Sequence, residues 1–235
     1  IGAALGGNFD RGIKMGDQIG GGNFNSGAQE RVQAAFFTTT FSVMGHVAKA
    51  DGRVSPQEIS TAKNIMAQMQ LSAEQRKAAI TFFDQGKAAD FPLEDVLRQF
   101  KQECHRRRNL IQMFIEIQIA TALADGKVDA AEKRILYTIG DILGFARSQI
   151  DHLFNIANNA EASASDHLTL TQAYKILGVN KGSSEAEIKK AYRRLMSQHH
   201  PDKLVAKGLP EEMITLATEK TQEIRKAYDL IKENL

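Results

Sequence analysis

The feature that most constrains the fold of this 235-residue chain is an internal repeat. The segment Asp51-Gly-Arg-Val-Ser-Pro-Gln-Glu58 recurs as Asp125-Gly-Lys-Val-Asp-Ala-Ala-Glu132, with Asp, Gly, Val and Glu retained, and the second copy begins 74 residues after the first. Apolar positions on both sides of the motif also correspond: Phe41 with Ile115, Ile65 with Ile139, Met69 with Leu143, and Leu71 with Phe145. Each copy is typical of a helix, a tight turn, a second helix and a further helix. Duplicated helix pairs pack around one shared core, so we predict an all-α domain.

Two interpretations of the repeated motif remain open. In the first, Asp-Gly ends one helix, and Ser55 in the first copy or Asp129 in the second caps the next helix. Glu58 or Glu132 then completes a capping box, and Pro56 fits the first helical position. In the second, acidic residues bind a metal ion, in the pairs Asp51 with Glu58 and Asp125 with Glu132. The EF-hand pattern requires more acidic positions and a longer loop. We therefore favour capping and assign no metal ligand.

A second strong pattern lies near the C-terminus, where a basic amphipathic helix runs into His200-Pro201-Asp202. One helix face is apolar because four residues follow the i, i+3, i+4, i+7 spacing: Ile188, Ala191, Tyr192 and Leu195. The opposite face carries Lys189, Lys190, Arg193 and Arg194. Ser184 with Glu187 is predicted to form a capping box at the start of the helix. Pro201 has no N–H and disfavours a helical conformation at the residue before it. The helix is therefore expected to stop near residues 198–200 and to present His200 and Asp202 on a short loop.

Helices are predicted on both sides of this pattern. Upstream, residues 170–177 have helical spacing and Gly178 suits the position after a helix end. Downstream, Pro210 suits a first helical turn, and a broad apolar face follows: Met213, Ala217, Ile224, Ala227, Tyr228 and Ile231. Helix, turn, basic helix, His-Pro-Asp loop and helix is an order that resembles the J-domain, the module that drives ATP hydrolysis in Hsp70 chaperones. The resemblance covers residues 168–235.

The resemblance implies roles for particular residues. The basic helix of J-domains docks on an acidic surface of the Hsp70 nucleotide-binding domain, a role that falls on Lys189, Lys190, Arg193 and Arg194, with Lys203 beside them. The loop residues that engage the Hsp70 interdomain region and trigger hydrolysis would be His200, Pro201 and Asp202. The implied partner is an Hsp70 of the DnaK type. A carboxylate such as that of Asp202 can accept a charge-assisted hydrogen bond, and a basic face makes association salt-sensitive.

Two features depart from the J-domain pattern. Thr221 stands three residues before Ile224, where a large aromatic is common, and we expect the space to be filled by Met196, Met213 or Leu216. The stretch between Asp202 and Ile224 is also longer than usual. Its extra residues, Leu204 to Pro210, are called the insertion below, and we expect them to form a distinct surface.

The duplicated motif resembles the TerB-like (tellurite-resistance type) helical domain. Such a domain joined by a short linker to a C-terminal J-domain resembles the membrane-anchored DnaJ-like co-chaperones of Gram-negative bacteria. We divide the chain into a flexible Gly-rich membrane-proximal segment, the TerB-like domain, a linker and the J-domain: residues 1–28, 29–158, 159–167 and 168–235. The resemblance implies a single membrane span before Ile1, with the bulk of the chain at the cytoplasmic face of the bacterial inner membrane.

Composition excludes several other classes of protein. A single cysteine, Cys104, cannot form an internal disulfide and excludes the cysteine-rich zinc region of the largest class of J-proteins. A net charge of +2 is too small to indicate nucleic-acid binding. The most apolar run, from Leu110 to Leu123, is too short to span a bilayer. No phosphate-binding loop or catalytic triad pattern stands out, so we predict neither an enzyme nor a bound cofactor.

The sequence therefore supports two hypotheses of function. In the first, the chain is a regulatory co-chaperone whose J-domain stimulates a DnaK-type Hsp70, while the TerB-like domain recruits an unidentified partner or client. In the second, the chain is a stress-response scaffold that acts mainly through the TerB-like domain, with or without a metal ion.

Overall fold

The computed structural model describes residues 26–50, 52, 54–69, 71–123, 128–161 and 168–235. In the N-terminal part these residues form α1 (Ser26–Ala48), α2 (Pro56–Gln68), α3 (Ala73–Gly86), α4 (Leu93–Glu103), α5 (Arg108–Ala122), α6 (Ala130–Leu143) and α7 (Arg147–Glu161). The C-terminal part contains α8 (Leu170–Leu177), α9 (Glu185–His199), α10 (Pro201–Val205), a 3-10 turn (Glu211–Met213) and α11 (Ile214–Lys232). No strand occurs in these ranges, as expected for an all-α chain. We call α1 to α7 the first domain, and α8, α9 and α11 the C-terminal hairpin.

The repeat is visible in the helix boundaries. Helices α2 and α6 begin at residues 56 and 130, and α3 and α7 begin at 73 and 147, so each pair is 74 residues apart. All eight apolar positions matched in the sequence are buried. Asp129 caps α6 as predicted, because its carboxylate accepts from the Glu132 N–H at 2.9 Å while the Glu132 carboxylate accepts from the Asp129 N–H at 2.9 Å. The cap explains why Glu132, although acidic, is buried.

The core of the first domain forms around α1. Phe36 of α1 contacts Phe100 of α4 and Phe114 of α5, with ring centroids 6.0 and 6.4 Å away. Helix α3 lies so close to α1 that two glycines form the crossing, Gly45 and Gly86. Cys104 is also part of this core, and burial raises the pKa of its thiol to about 12.

The C-terminal hairpin has a smaller core of its own. Its buried members come from all three helices: Ala173, Tyr174, Ile176, Leu177, Ile188, Leu195, Ile224, Ala227 and Ile231. Gly178 ends α8 in the left-handed conformation, at φ 66°, as the sequence predicts. Tyr192 stacks on Tyr228 with ring centroids 4.2 Å apart and joins α9 to α11.

The insertion does not form the distinct surface that we expected from the sequence. Leu204 and Leu209 are fully buried, and they belong to the core of the first domain together with Met213 and Ala217. These apolar side chains would otherwise be exposed, and burying each of them is worth roughly 1.5–3 kcal/mol. Of the three candidates for the missing aromatic, only Met196 packs against the hairpin core, since Met213 and Leu216 pack against the first domain.

Within the residues that the structure describes, no helix combines the length and the apolar character needed to cross a bilayer.

Candidate functional site

The His-Pro-Asp sequence lies at a one-residue junction between two helices. Helix α9 ends at His199 and α10 begins at Pro201, so His200 alone connects them, with φ −59° and ψ 124°. This extended ψ is the conformation that a following proline favours. The sequence predicted a short loop containing Asp202, but Asp202 is in the first turn of α10. Its side chain is nevertheless 91% exposed, and that of His200 is 45% exposed.

The side chains of His200 and Asp202 make no hydrogen bond to each other or to another residue in the described part of the chain. His200 Nδ1 is 4.0 Å from the Asp202 Oδ2 atom, which is too far for a hydrogen bond. The Nδ1 atom itself is buried and unpaired. The exposed Asp202 carboxylate is therefore an acceptor available to another molecule, whereas the His200 Nδ1 atom is shielded from solvent.

The basic face of α9 leads to this junction along one side of the hairpin. The four cations of this face are Lys189, Lys190, Arg193 and Arg194. All are exposed, and none forms an ion pair with another described residue. Helix α9 begins with the predicted capping box, in which the Ser184 N–H donates to the Glu187 carboxylate at 2.8 Å. Unlike these four cations, Lys203 has a partner within the hairpin region, since its ammonium donates to the Ser197 hydroxyl at 2.8 Å.

Arg194 also faces the first domain. It lines a cavity of about 280 Å³ between α9 and the helices α5 and α7. Burial, together with the nearby Arg194 guanidinium, lowers the pKa of His152 on the opposite wall. Lys189, Lys190 and Arg193 do not line this cavity, so they are the cations of the face directed wholly to solvent.

A polar cluster between the hairpin and the first domain could not be read from the sequence. His199, with a side chain only 5% exposed, places Nδ1 3.6 Å from the Glu116 Oε2 atom on α5. On α11, the Lys220 ammonium is 2.8 Å from the Glu223 carboxylate. Burial alone would lower the pKa of Lys220, but Glu223 and Glu116 outweigh it and hold that pKa above its usual value. The cluster thus joins α5, α9 and α11.

The metal hypothesis concerns residues that lie largely outside the described ranges, including Asp51 and Asp125. Among the residues that the structure does describe, no three His, Cys, Asp or Glu side chains are grouped as metal ligands. The Glu132 carboxylate accepts the hydrogen bond of a helix cap.

Two family profiles match the chain. The one described as "Tellurite resistance protein TerB" matches residues 38–155, and the one described as "DnaJ domain" matches residues 172–234. The "Co-chaperone protein DjlA" of Shewanella oneidensis is 46% identical over 91% of this chain and 84% of its own length. The protein of the same name from Photorhabdus laumondii is 42% identical over 99% of this chain and 89% of its own length. No solved structure gives a significant match.

Proposed function

The chain belongs to the DjlA family of co-chaperones, and we propose on that premise that it stimulates ATP hydrolysis by a DnaK-type Hsp70. The J-domain carries this activity, and the first domain recruits a client or a membrane partner. We assign no catalytic group to the chain itself. A co-chaperone of this kind acts by binding one conformational state of Hsp70 more tightly than the other, which shifts the population toward that state.

The observation that carries the proposal is the exposed strip that runs from Lys189 to Asp202. Lys189, Lys190 and Arg193 face solvent and form no ion pair with a described residue. The strip ends at the exposed carboxylate of Asp202. Unpaired cations on one helix face attract an acidic surface and raise the association rate. The Asp202 carboxylate is then placed to accept a charge-assisted hydrogen bond from a cation of the partner.

We further propose that the protein acts at the cytoplasmic face of the bacterial inner membrane, held by a span N-terminal to this chain. The resemblance to membrane-anchored DnaJ-like co-chaperones supports this location. Fractionation of cells that make the full-length protein tests it, since recovery in the soluble fraction would contradict an anchor.

Reversing two charges on the strip is expected to weaken binding to a DnaK-type Hsp70. Lys190→Glu combined with Arg193→Glu replaces two attractive cations with two repulsive anions. Both residues are exposed, so the change should leave the fold intact. We expect the association rate to fall by at least about ten-fold at low salt, and the dependence of that rate on ionic strength to flatten. Stopped-flow binding at several salt concentrations measures both quantities.

The matched control is Lys63→Glu combined with Lys77→Glu, which changes the net charge equally on exposed residues of the first domain. This control should retain nearly the parent rate and salt slope. Equal losses in the two double variants would point to net charge alone and would contradict docking through α9.

A further inference from the structure

The His-Pro-Asp junction is held from its N-terminal side by the first domain. His199, the residue before His200, is buried, and its Nδ1 atom lies 3.6 Å from the carboxylate of Glu116 on α5. The Glu116 carboxylate is itself oriented, because Gln112 Nε2 donates to its Oε1 atom at 2.9 Å. The C-terminal end of α9 therefore packs against a helix of the other domain, with His199 facing Glu116.

The C-terminal side of the junction is held as well. Leu204, two residues after Asp202, is fully buried in the core of the first domain, and Leu209 follows it there. The backbone is also fixed, since Gln29 Nε2 of α1 donates to the Val205 carbonyl at 3.3 Å. A helix of five residues such as α10 is unstable in water by itself, so α10 depends on these contacts.

Gly208 allows the insertion to pack closely against the first domain. Its φ of +92° is in the left-handed region, which disfavours every residue with a Cβ. It also lies directly against the first domain, where an added Cβ would be 2.7 Å from Val32 Cγ1 and 3.1 Å from Arg107 Nη1. Only glycine allows the insertion to pack this closely on α1.

We propose that the first domain positions the His-Pro-Asp junction, through Glu116 on one side and the insertion on the other. In this proposal Glu116 and Gly208 are positioning residues, which act on the junction without touching Hsp70. The functional part of the proposal rests on the proposed Hsp70 activity, whereas the holding of the junction is a property of the free chain.

The attached arrangement leaves the Hsp70-facing groups accessible. The Asp202 side chain is 91% exposed, and Lys189, Lys190 and Arg193 are exposed. The contacts therefore organise the junction before Hsp70 arrives and do not block it. Ordering a segment in advance lowers the conformational-entropy cost of immobilising its side chains on binding.

Gly208→Ala tests the attachment of the insertion. The matched control is Gly52→Ala, because Gly52 has a φ of +93° but an added Cβ there meets no atom within 4 Å. Both variants place an alanine at nearly the same positive φ, so a difference between them reflects the contacts of position 208 with Val32 and Arg107. Glu116→Ala tests the other attachment without introducing any new atoms.

The first measurement is hydrogen exchange of the free chain at the Leu204 and Ala206 amides, which donate to the His200 and Asp202 carbonyls at 3.0 and 2.9 Å. We expect Gly208→Ala to accelerate exchange at both amides by about ten-fold or more relative to Gly52→Ala, because strain and overlap oppose docking. Unchanged exchange in a folded Gly208→Ala chain would overturn the proposal whether or not Hsp70 responds.

The second measurement is stimulation of a DnaK-type Hsp70. For Gly208→Ala and Glu116→Ala we expect the half-saturating concentration to rise about three- to ten-fold relative to Gly52→Ala, with the maximal rate retained, as expected for lost preorganisation. A half-saturating concentration equal to that of the parent in both variants would overturn the positioning role. The contacts would then contribute only to the structure of the chain. No stimulation by the parent would refute the proposed function instead, while the exchange experiment would still decide whether the first domain holds the junction.

Discussion

Asp202→Asn is expected to return ATP hydrolysis by the Hsp70 partner to its unstimulated rate while the chain remains folded. The carboxylate is 91% exposed, and its 4.0 Å separation from His200 Nδ1 is too long for a hydrogen bond, so an amide in its place should leave the fold intact. The charge-assisted hydrogen bond to the partner is lost, however, and a bond of this kind contributes roughly 1.5–3 kcal/mol. Steady-state hydrolysis at saturating co-chaperone, with circular dichroism of the variant, measures both effects. His200→Gln is expected to behave in the same way.

Asp229→Asn is the matched control, because it makes the same chemical change at an exposed position on α11. It should stimulate Hsp70 as the parent does. A folded Asp202→Asn chain that stimulates normally would show that Asp202 does not carry the activity.

Gly86→Ala is expected to destabilise the first domain by at least about 3 kcal/mol, the upper range for overpacking. Helices α1 and α3 cross at Gly86, where an added Cβ would overlap the Ser42 carbonyl oxygen and lie 2.7 Å from its carbonyl carbon. Backbone atoms of a buried helix cannot rotate away as a side chain does, so the two helices would have to separate. Since domains are stable by only about 5–15 kcal/mol, the loss should appear as a large fall in the denaturation midpoint.

Gly27→Ala is expected to stabilise the first domain. Gly27 lies in the first turn of α1, and an added Cβ there meets nothing within 4 Å. Alanine at an unstrained helical position stabilises a protein by about 0.4–1 kcal/mol. Urea titrations of the two variants should therefore move in opposite directions from the parent. A Gly86→Ala midpoint equal to that of the parent would contradict the close crossing.

The sequence predicted the features that depend on local pattern. The repeated spacing placed the starts of α2 and α6, and the capping residues Ser184 and Asp129 are where the pattern expected them. Caps and turns are determined by a few neighbouring residues, which is why they can be read from one chain. The order of the hairpin helices followed from the same signals.

Contacts between distant segments could not be predicted in this way. Nothing near His199 in the sequence indicates that Glu116 faces it, and a glycine inside a helix, such as Gly45, indicates a close approach without identifying the partner. The insertion did carry a signal that we did not use. Leu204 and Leu209 are apolar in a segment that we expected to be surface, and such residues require burial against something.

Single-turnover ATP hydrolysis in a DnaK-type Hsp70, measured as the concentration of the parent chain is increased, shows whether the chain drives hydrolysis. We expect the hydrolysis rate to rise and to saturate. The maximal rate and the half-saturating concentration should be unchanged in Asp229→Asn. A rate that stays at the level of Hsp70 alone, across concentrations at which binding is complete, would contradict the assignment of this chain as a co-chaperone that drives hydrolysis.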